Sequence, residues 1–181
     1  VAEIRNAIDN EEPVSTVLRN YRNDGTMFWN RVTIAPIRDE GGDVSNWVGF
    51  QEDATERIER EQQLELAETV FENTQDALFV IDVTENREFY IERVNTVYEE
   101  LTGLSNAEIA GKTPTEAVGE EIGSEIESQY RECVERQETI NYPEEIPVDG
   151  EQRQWETKVT PVISEGRVDK LVGSMRDVTA V

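Results

Sequence analysis

The chain has 181 residues, 40 acidic and 17 basic, and a formal charge of −23. That excess repels nucleic acid and anionic membrane, so neither is expected as a direct partner of this stretch. Histidine is absent, which removes a His-ligated haem, the usual histidine-containing zinc sites, histidine-assisted nucleophiles and a phospho-accepting histidine.

Val1, Ile4 and Ile8 fit one face of a short helix that ends near Asn10, before Pro13. A strand covers Val14 to Tyr21, and Asn23-Asp24-Gly25 is a strong hairpin signal. The next strands run from Thr26 to Ile37 and, after Gly41-Gly-Asp43, from Val44 to Asp53. Highly charged helical sequence follows to about Phe71. Leu64, Ala67 and Phe71 fit a heptad seam there, but Arg57 and Arg60 interrupt it one heptad earlier. A connecting helix with a short dimer-capable stripe is expected.

Leu78 to Val83 and Arg87 to Val94 read as paired strands. Asn95 starts a helix holding Val97, Tyr98 and Leu101, which Gly103 stops; Asn106 opens a further turn, closed by Gly111. Ile122, Ile126, Tyr130, Cys133 and Val134 make an amphipathic stripe on a longer helix. Three strands end the chain, at Ile140 to Val148, Gln152 to Ile163 and Val168 to Val178.

Overlaid, the two ends match. Val44 with Val168, Asp53 with Asp177 and Thr55 with Thr179 share an offset of 124. Pro36 pairs with Pro161, Asp24-Gly25 with Asp149-Gly150, and Trp29 with Trp155, which puts Asn30 on Glu156 and Gln51 on Met175. This is an internal repeat of one domain type. Its second copy is expected to be complete and its first to be a carboxy-terminal half. The opening residues, which read as the inside of a helix, suggest a piece of something longer.

Asn20, Asn30 and Gln51 carry the chemistry. Period-two alternation puts Asn30 on one side with Phe28, Val32 and Ile34, and gives Asn20 and Gln51 the same phase as Leu18 and Trp47. A carboxamide turned to a core is costly unless its donor and acceptor are satisfied. Two readings fit: a planar ligand held by amides at its rim, or three separately satisfied structural amides.

Asp53-Ala-Thr55 and Asp177-Val-Thr179, with Asn95, Leu101-Thr-Gly103 and Gly111-Lys112, resemble the signatures of PAS domains. The resemblance implies an α+β fold of antiparallel sheets with helices on one face. Its domains would be residues 1–55, a connecting helix at 56–70, and a complete PAS domain at 71–181. Asn20-Tyr-Arg-Asn-Asp-Gly-Thr-Met-Phe-Trp-Asn30 and the amide spacings of 10 and 21 resemble the LOV subfamily, blue-light receptors that bind flavin mononucleotide. By that resemblance Asn20 and Asn30 hold the pyrimidine edge, Gln51 faces the central ring, and Val32 and Ile34 line the face. No cysteine lies between Val1 and Thr55. The flavin chemistry of that subfamily, and flavin itself, are therefore expected in an intact domain and not in this chain. A half-domain of about 55 residues buries little, so it is expected to lean on the second domain or on a second chain.

The second copy lacks those amides, and its pocket would hold either a small apolar or aromatic molecule or side chains alone. Cys133 reads as core. It also excludes an internal disulfide and agrees with a reducing, cytoplasmic setting, as does the lack of a membrane span or secretion signal. The acid-rich, lysine-poor composition resembles cytoplasmic proteins of salt-loving archaea. Gly111-Lys-Thr113 lacks the upstream glycine of a phosphate loop. The expected function is a sensory relay in a signal-transduction protein: light or redox sensing through flavin in the intact first domain, small-ligand sensing or relay in the second. The chain would not be an enzyme. It would be a homodimer that passes its signal to a histidine kinase, a transducer or a bacterio-opsin-activator-type regulator. The alternative is a non-sensing dimerisation and spacer module.

Overall fold

The Asn23-Asp24-Gly25 turn folds β1 (Val14–Tyr21) back on β2 (Met27–Arg38). Gly25, at φ 86°, donates its amide to the Arg22 carbonyl at 2.9 Å, and the Asp24 carboxylate accepts from the Thr26 amide. β3 (Val44–Asp53) joins the far edge of β2, giving a three-stranded antiparallel sheet in the order β1-β2-β3. In this computed structural model, which describes residues 1–179, the sheet belongs to the first of two units, Val1–Ala67.

Helix α1 (Ala2–Asp9) lies on this sheet and is held where the Thr16 hydroxyl donates to Glu3 at 2.8 Å. Ala7 is buried and Ile4 half-buried, whereas Ile8 is 42% exposed. The Val1-Ile4-Ile8 face expected from spacing is thus rotated. On a helix the i+3 neighbour shares a face as readily as the i+4 one, and contact with the sheet selects between them. Helix α2 spans Thr55–Asn73; it buries no residue, and Leu64, Leu66 and Val70 stand out in solvent.

The second unit, from Glu68 onward, is a five-stranded antiparallel sheet in the order β5-β4-β8-β7-β6. Its strands are β4 (Ala77–Val83), β5 (Phe89–Val94), β6 (Ile140–Val148), β7 (Glu151–Ser164) and β8 (Arg167–Asp177). Four helices, α3 (Thr96–Thr102), α4 (Asn106–Ile109), α5 (Pro114–Val118) and α6 (Glu120–Arg136), fill the span between β5 and β6. Alternation on β4 sends Ala77, Phe79, Ile81 and Val83 inward, where they pack with Ile109, Tyr130 and Cys133 from the helices. Phe79 pairs with Gly173 on β8, and its ring occupies the space a side chain would need, since a Cβ on Gly173 would lie 1.9 Å from it.

Helix α5 has no counterpart in the sequence reading, yet its start is marked. The Thr113 hydroxyl accepts from the Glu116 amide, the Glu116 carboxylate accepts from the Thr113 amide, and Pro114 occupies the first helical position. Five residues are too few to show periodicity. Asn95, fully buried, caps α3 and does more. Its Oδ1 accepts from the Leu78 and Tyr98 amides at 2.8 and 2.9 Å, and its Nδ2 donates to the Phe71 and Asp76 carbonyls at 3.0 and 3.1 Å. All of its hydrogen-bonding capacity is used. Among the described residues no helix is long and apolar enough to cross a membrane.

Candidate functional site

Cross-strand register puts the three amides on one face of the first sheet. Asn20 pairs with Phe28, Leu18 with Asn30, Val32 with Gln51 and Ile34 with Gly49. Asn30 is buried, and its Nδ2 donates to Gln51 Oε1 at 3.2 Å. Val32 and Ile34 are half-buried beside them. Asn20 faces the same way but lies beyond both, exposed, with its Oδ1 accepting from the Tyr21 amide at 2.9 Å. The expectation that all three point into a core therefore holds for Asn30 alone. α1 meets the sheet at Thr16, and Asn20, farther along β1, is exposed. The result is an amide rim flanked by aliphatic side chains, donor set and apolar face on one side. That arrangement fits the edge and ring of a flat heterocycle such as a flavin.

Two residues after Gln51 the strand becomes helix. Asp53 accepts from both the Thr55 amide, at 3.1 Å, and its hydroxyl, at 2.6 Å, and pairs with Arg22. These bonds hold the Asp53 carboxyl below its usual range, the Thr55 hydroxyl contributing most. The Thr55 hydroxyl also accepts from the Trp29 amide at 3.0 Å, and Ala54 donates to the Trp29 carbonyl at 2.8 Å. A movement of Gln51 is thus two residues from the clasp that starts α2.

The second unit repeats this clasp. Asp177 accepts from Thr179, Gln154 donates to the Thr179 hydroxyl at 2.9 Å, and Val178 donates to the Gln154 carbonyl at 2.9 Å. The structural equivalent of Trp29 is therefore Gln154, not Trp155, and that of Asn30 is Trp155, not Glu156. The sequence overlay matched the two tryptophans, but hydrogen bonding keeps β2 and β7 at the one-residue-smaller offset of their turns and prolines. Val32–Gln51 corresponds to Thr157–Met175, so Gln51 does fall on Met175. Where the first sheet carries an amide, the second carries the fully buried Trp155 indole.

Between the second sheet and its helices lies a cavity of about 180 Å³. Phe79, Tyr98 and Tyr130 form one wall, with ring centroids 6.2 and 6.1 Å from Phe79; Ile126 and Met175 add apolar surface. One carboxylate enters, Glu144. It follows from β6 alternation, in which Ile140, Tyr142, Glu144, Ile146 and Val148 share the inward phase. Sequence reading passed over it, although an acid in that phase was visible. Burial raises the Glu144 carboxyl, partly opposed by the hydrogen bond it accepts from the Thr157 hydroxyl. Burial also lifts the Tyr98 phenol to about 12, so it is a neutral hydroxyl at any physiological pH.

Cys133 is fully buried, its thiol raised to about 11 by desolvation and the neighbouring Glu132. Its Sγ donates to the Glu138 and Val159 carbonyls at 3.3 and 3.6 Å, a core residue in agreement with the sequence reading. Gly111 and Lys112 form no loop around an anion; they pair with both backbone groups of Ile91.

Comparison with known proteins gives a family for each part. The model described as "PAS fold" matches residues 71–181, and that described as "PAS domain" matches residues 1–56. The chain is 52% identical over 65 residues to the bacterioopsin transcriptional activator of Halobacterium salinarum, covering 36% of this chain and 10% of that protein. It is 38% identical over 86 residues to a blue-light photoreceptor of Listeria innocua, covering 48% of this chain and 33% of that one. The chain therefore spans a third or less of the length of these relatives. A PAS domain of a protein from Colwellia psychrerythraea superimposes with a TM-score of 0.55 at 22% identity, covering 66% of this chain and 99% of that domain.

Proposed function

This chain belongs to the PAS family, and we propose that it is a non-catalytic sensory stretch in which a light- or redox-sensitive flavin site acts on a second, ligand-responsive domain. In an intact LOV-like domain, Asn20 and Asn30 hold the pyrimidine edge of flavin mononucleotide, Gln51 faces the central ring, and Val32 and Ile34 pack on the ring face. When bound, the flavin supplies the light-absorbing and redox-active group. The chain's own residues orient it and read its state.

The Asn30–Gln51 hydrogen bond carries this reading. An amide can exchange donor for acceptor by turning over, so a changed partner at Gln51 alters its bond to Asn30 and tugs the strand end at Asp53. The clasp at Asp53 and Thr55 passes that strain into α2, whose last turn is fixed to the second domain. There Arg93 pairs with Glu68 and Glu72, and the Glu72 carboxylate accepts from the Thr96 amide and hydroxyl. The cavity beside Tyr98 then passes on or modifies the signal. The likeness to a blue-light photoreceptor and a bacterioopsin activator supports a cytoplasmic regulator with output elsewhere, in a histidine kinase, a transducer or an activator of that type. The acidic surface suits a halophile.

A second reading rests on Leu64, Leu66 and Val70, three aliphatic side chains exposed on α2. By that reading the helix pairs two chains and the domains are spacers, with no ligand bound.

The deciding measurement is an absorption spectrum of the polypeptide extended upstream by half a domain, before and after blue light. A structured flavin band that bleaches and recovers supports the sensor. A colourless protein that stays so when flavin is added leaves the amides as ordinary structure and favours the spacer.

A further inference from the structure

Glu144 breaks the inward pattern of β6, and nothing in the described chain neutralises it. It makes no ion pair, and its one hydrogen bond comes from the buried Thr157 hydroxyl. Two further polar atoms flank it without partners. The Tyr142 hydroxyl lies two residues along the same face, and the indole Nε1 belongs to Trp155, the cross-strand partner of Glu144; both are buried. Buried polar groups are nearly always satisfied, so two unpartnered atoms beside a carboxylate that has no ion pair point to a missing partner. On its outer side Glu144 borders a cleft that also carries Glu125 and Glu145 and no basic side chain. A cation is therefore drawn towards the opening and an anion repelled.

The inner space fixes size and shape. A dry cavity of about 150 Å³ holds benzene, so about 180 Å³ takes one ring with a short arm. Phe79, Tyr98 and Tyr130 offer aromatic surface to that ring or, by their faces, to a cation. We propose that the second domain binds a small ring-bearing organic ammonium, its nitrogen paired with Glu144 and its ring among Phe79, Tyr98 and Tyr130. This rests on the reading of that cavity as a ligand site, and adds the class of ligand.

The chain supplies its own reporter. It has two methionines: Met175 lines the cavity and Met27 lies in the first unit. With methyl-¹³C methionine, four probes are titrated at fixed salt: phenethylamine, 2-phenylethanol, 3-phenylpropionate and ethylamine. Phenethylamine is expected to shift Met175 and not Met27, and to bind about tenfold or more tighter than 2-phenylethanol. Neither the carboxylate nor ethylamine should match it. Glu144→Gln should abolish the preference for amine over alcohol while 2-phenylethanol still shifts Met175; Thr157→Val, which keeps the carboxylate, should retain the preference. Equal binding of amine and alcohol to the unaltered chain, or an undiminished preference in Glu144→Gln, would overturn the ammonium assignment and leave the ligand site standing. If no probe moves Met175, both are wrong. The wild-type titration alone decides should a variant fail to fold.

Discussion

The Nδ2 of Asn95 donates to the Phe71 carbonyl at 3.0 Å, tying the last turn of α2 to the residue that caps α3. Tyr98, three residues on, lines the cavity and donates its amide to the same side chain. One amide thus connects the incoming helix, the start of β4 and the cavity wall.

Asn95→Ala removes all four of its side-chain hydrogen bonds and strands buried backbone groups of Leu78 and Tyr98. We expect a loss of about 3 kcal/mol in chemical denaturation of the second domain. Asn95→Asp keeps the acceptor but turns a second acceptor oxygen on the Phe71 and Asp76 carbonyls in a fully buried site, so it should lose at least as much at neutral pH and recover part of it in acid, where the carboxyl can donate. A loss below 0.5 kcal/mol for the alanine variant (roughly the scale of neutral surface changes) would mean that water replaces the bonds without cost.

Gly49 and Gly173 occupy matching register positions and should differ sharply in their tolerance of alanine. A Cβ on Gly173 runs into the Phe79 ring, whereas on Gly49 the nearest atom is a carbonyl oxygen at 3.9 Å. Gly173→Ala should cost about 2–3 kcal/mol and displace Phe79 from the cavity wall. Gly49→Ala should stay within about 0.5 kcal/mol of the unaltered chain. Thermal melts of the two variants make the comparison.

Asp53 and Glu144 predict opposite pH dependences. The Asp53 carboxyl is held down by Thr55 and Arg22. Its contribution is therefore present above the ordinary carboxylate pKa and lost as pH falls through the lower folded value. Melting temperatures of the unaltered chain and Asp53→Asn should differ at neutral pH and converge below about pH 4. The Glu144 carboxyl is pushed up by burial. Its favourable contribution is complete below the ordinary value and lost as pH rises through the folded one. Glu144→Gln should therefore melt above the unaltered chain at neutral pH, the gap closing in acid.

Salt should stabilise the protein. At −23 the folded chain repels itself, and screening shortens from about 30 Å at 0.01 M to about 3 Å at 1 M salt. The melting temperature should rise between 0.05 and 2 M KCl, roughly the range over which screening becomes complete. A flat or falling curve would show that ion pairs such as Lys170 with Asp82 and Glu92 outweigh the net repulsion.

Local signals sufficed for much of the fold. Asn23-Asp24-Gly25 set a hairpin, Asn95 and Gly103 bounded α3, and alternation marked the strands, because these depend on neighbours in the chain. Even α5 was written in its Thr113–Glu116 capping box, though five residues hide a period. The repeat was legible too, in Asp53-Ala-Thr55 and Asp177-Val-Thr179, since each aspartate closes on a threonine two residues away.

What the tertiary structure decided is which residues meet. Matching side chains placed Trp29 on Trp155, but backbone hydrogen bonds to Thr55 and Thr179 place it on Gln154 and put the Trp155 indole where Asn30 stands. Alternation gave Asn20, Asn30 and Gln51 one phase, but the assembled unit buries only Asn30 and leaves Asn20 and Gln51 exposed. Glu144 has the phase of any core residue; its isolation emerges only when β6 pairs with β7 and the helices close over it. A strand's period is fixed within a few residues, whereas burial and pairing are set by partners tens of residues away, through contacts that no local pattern encodes.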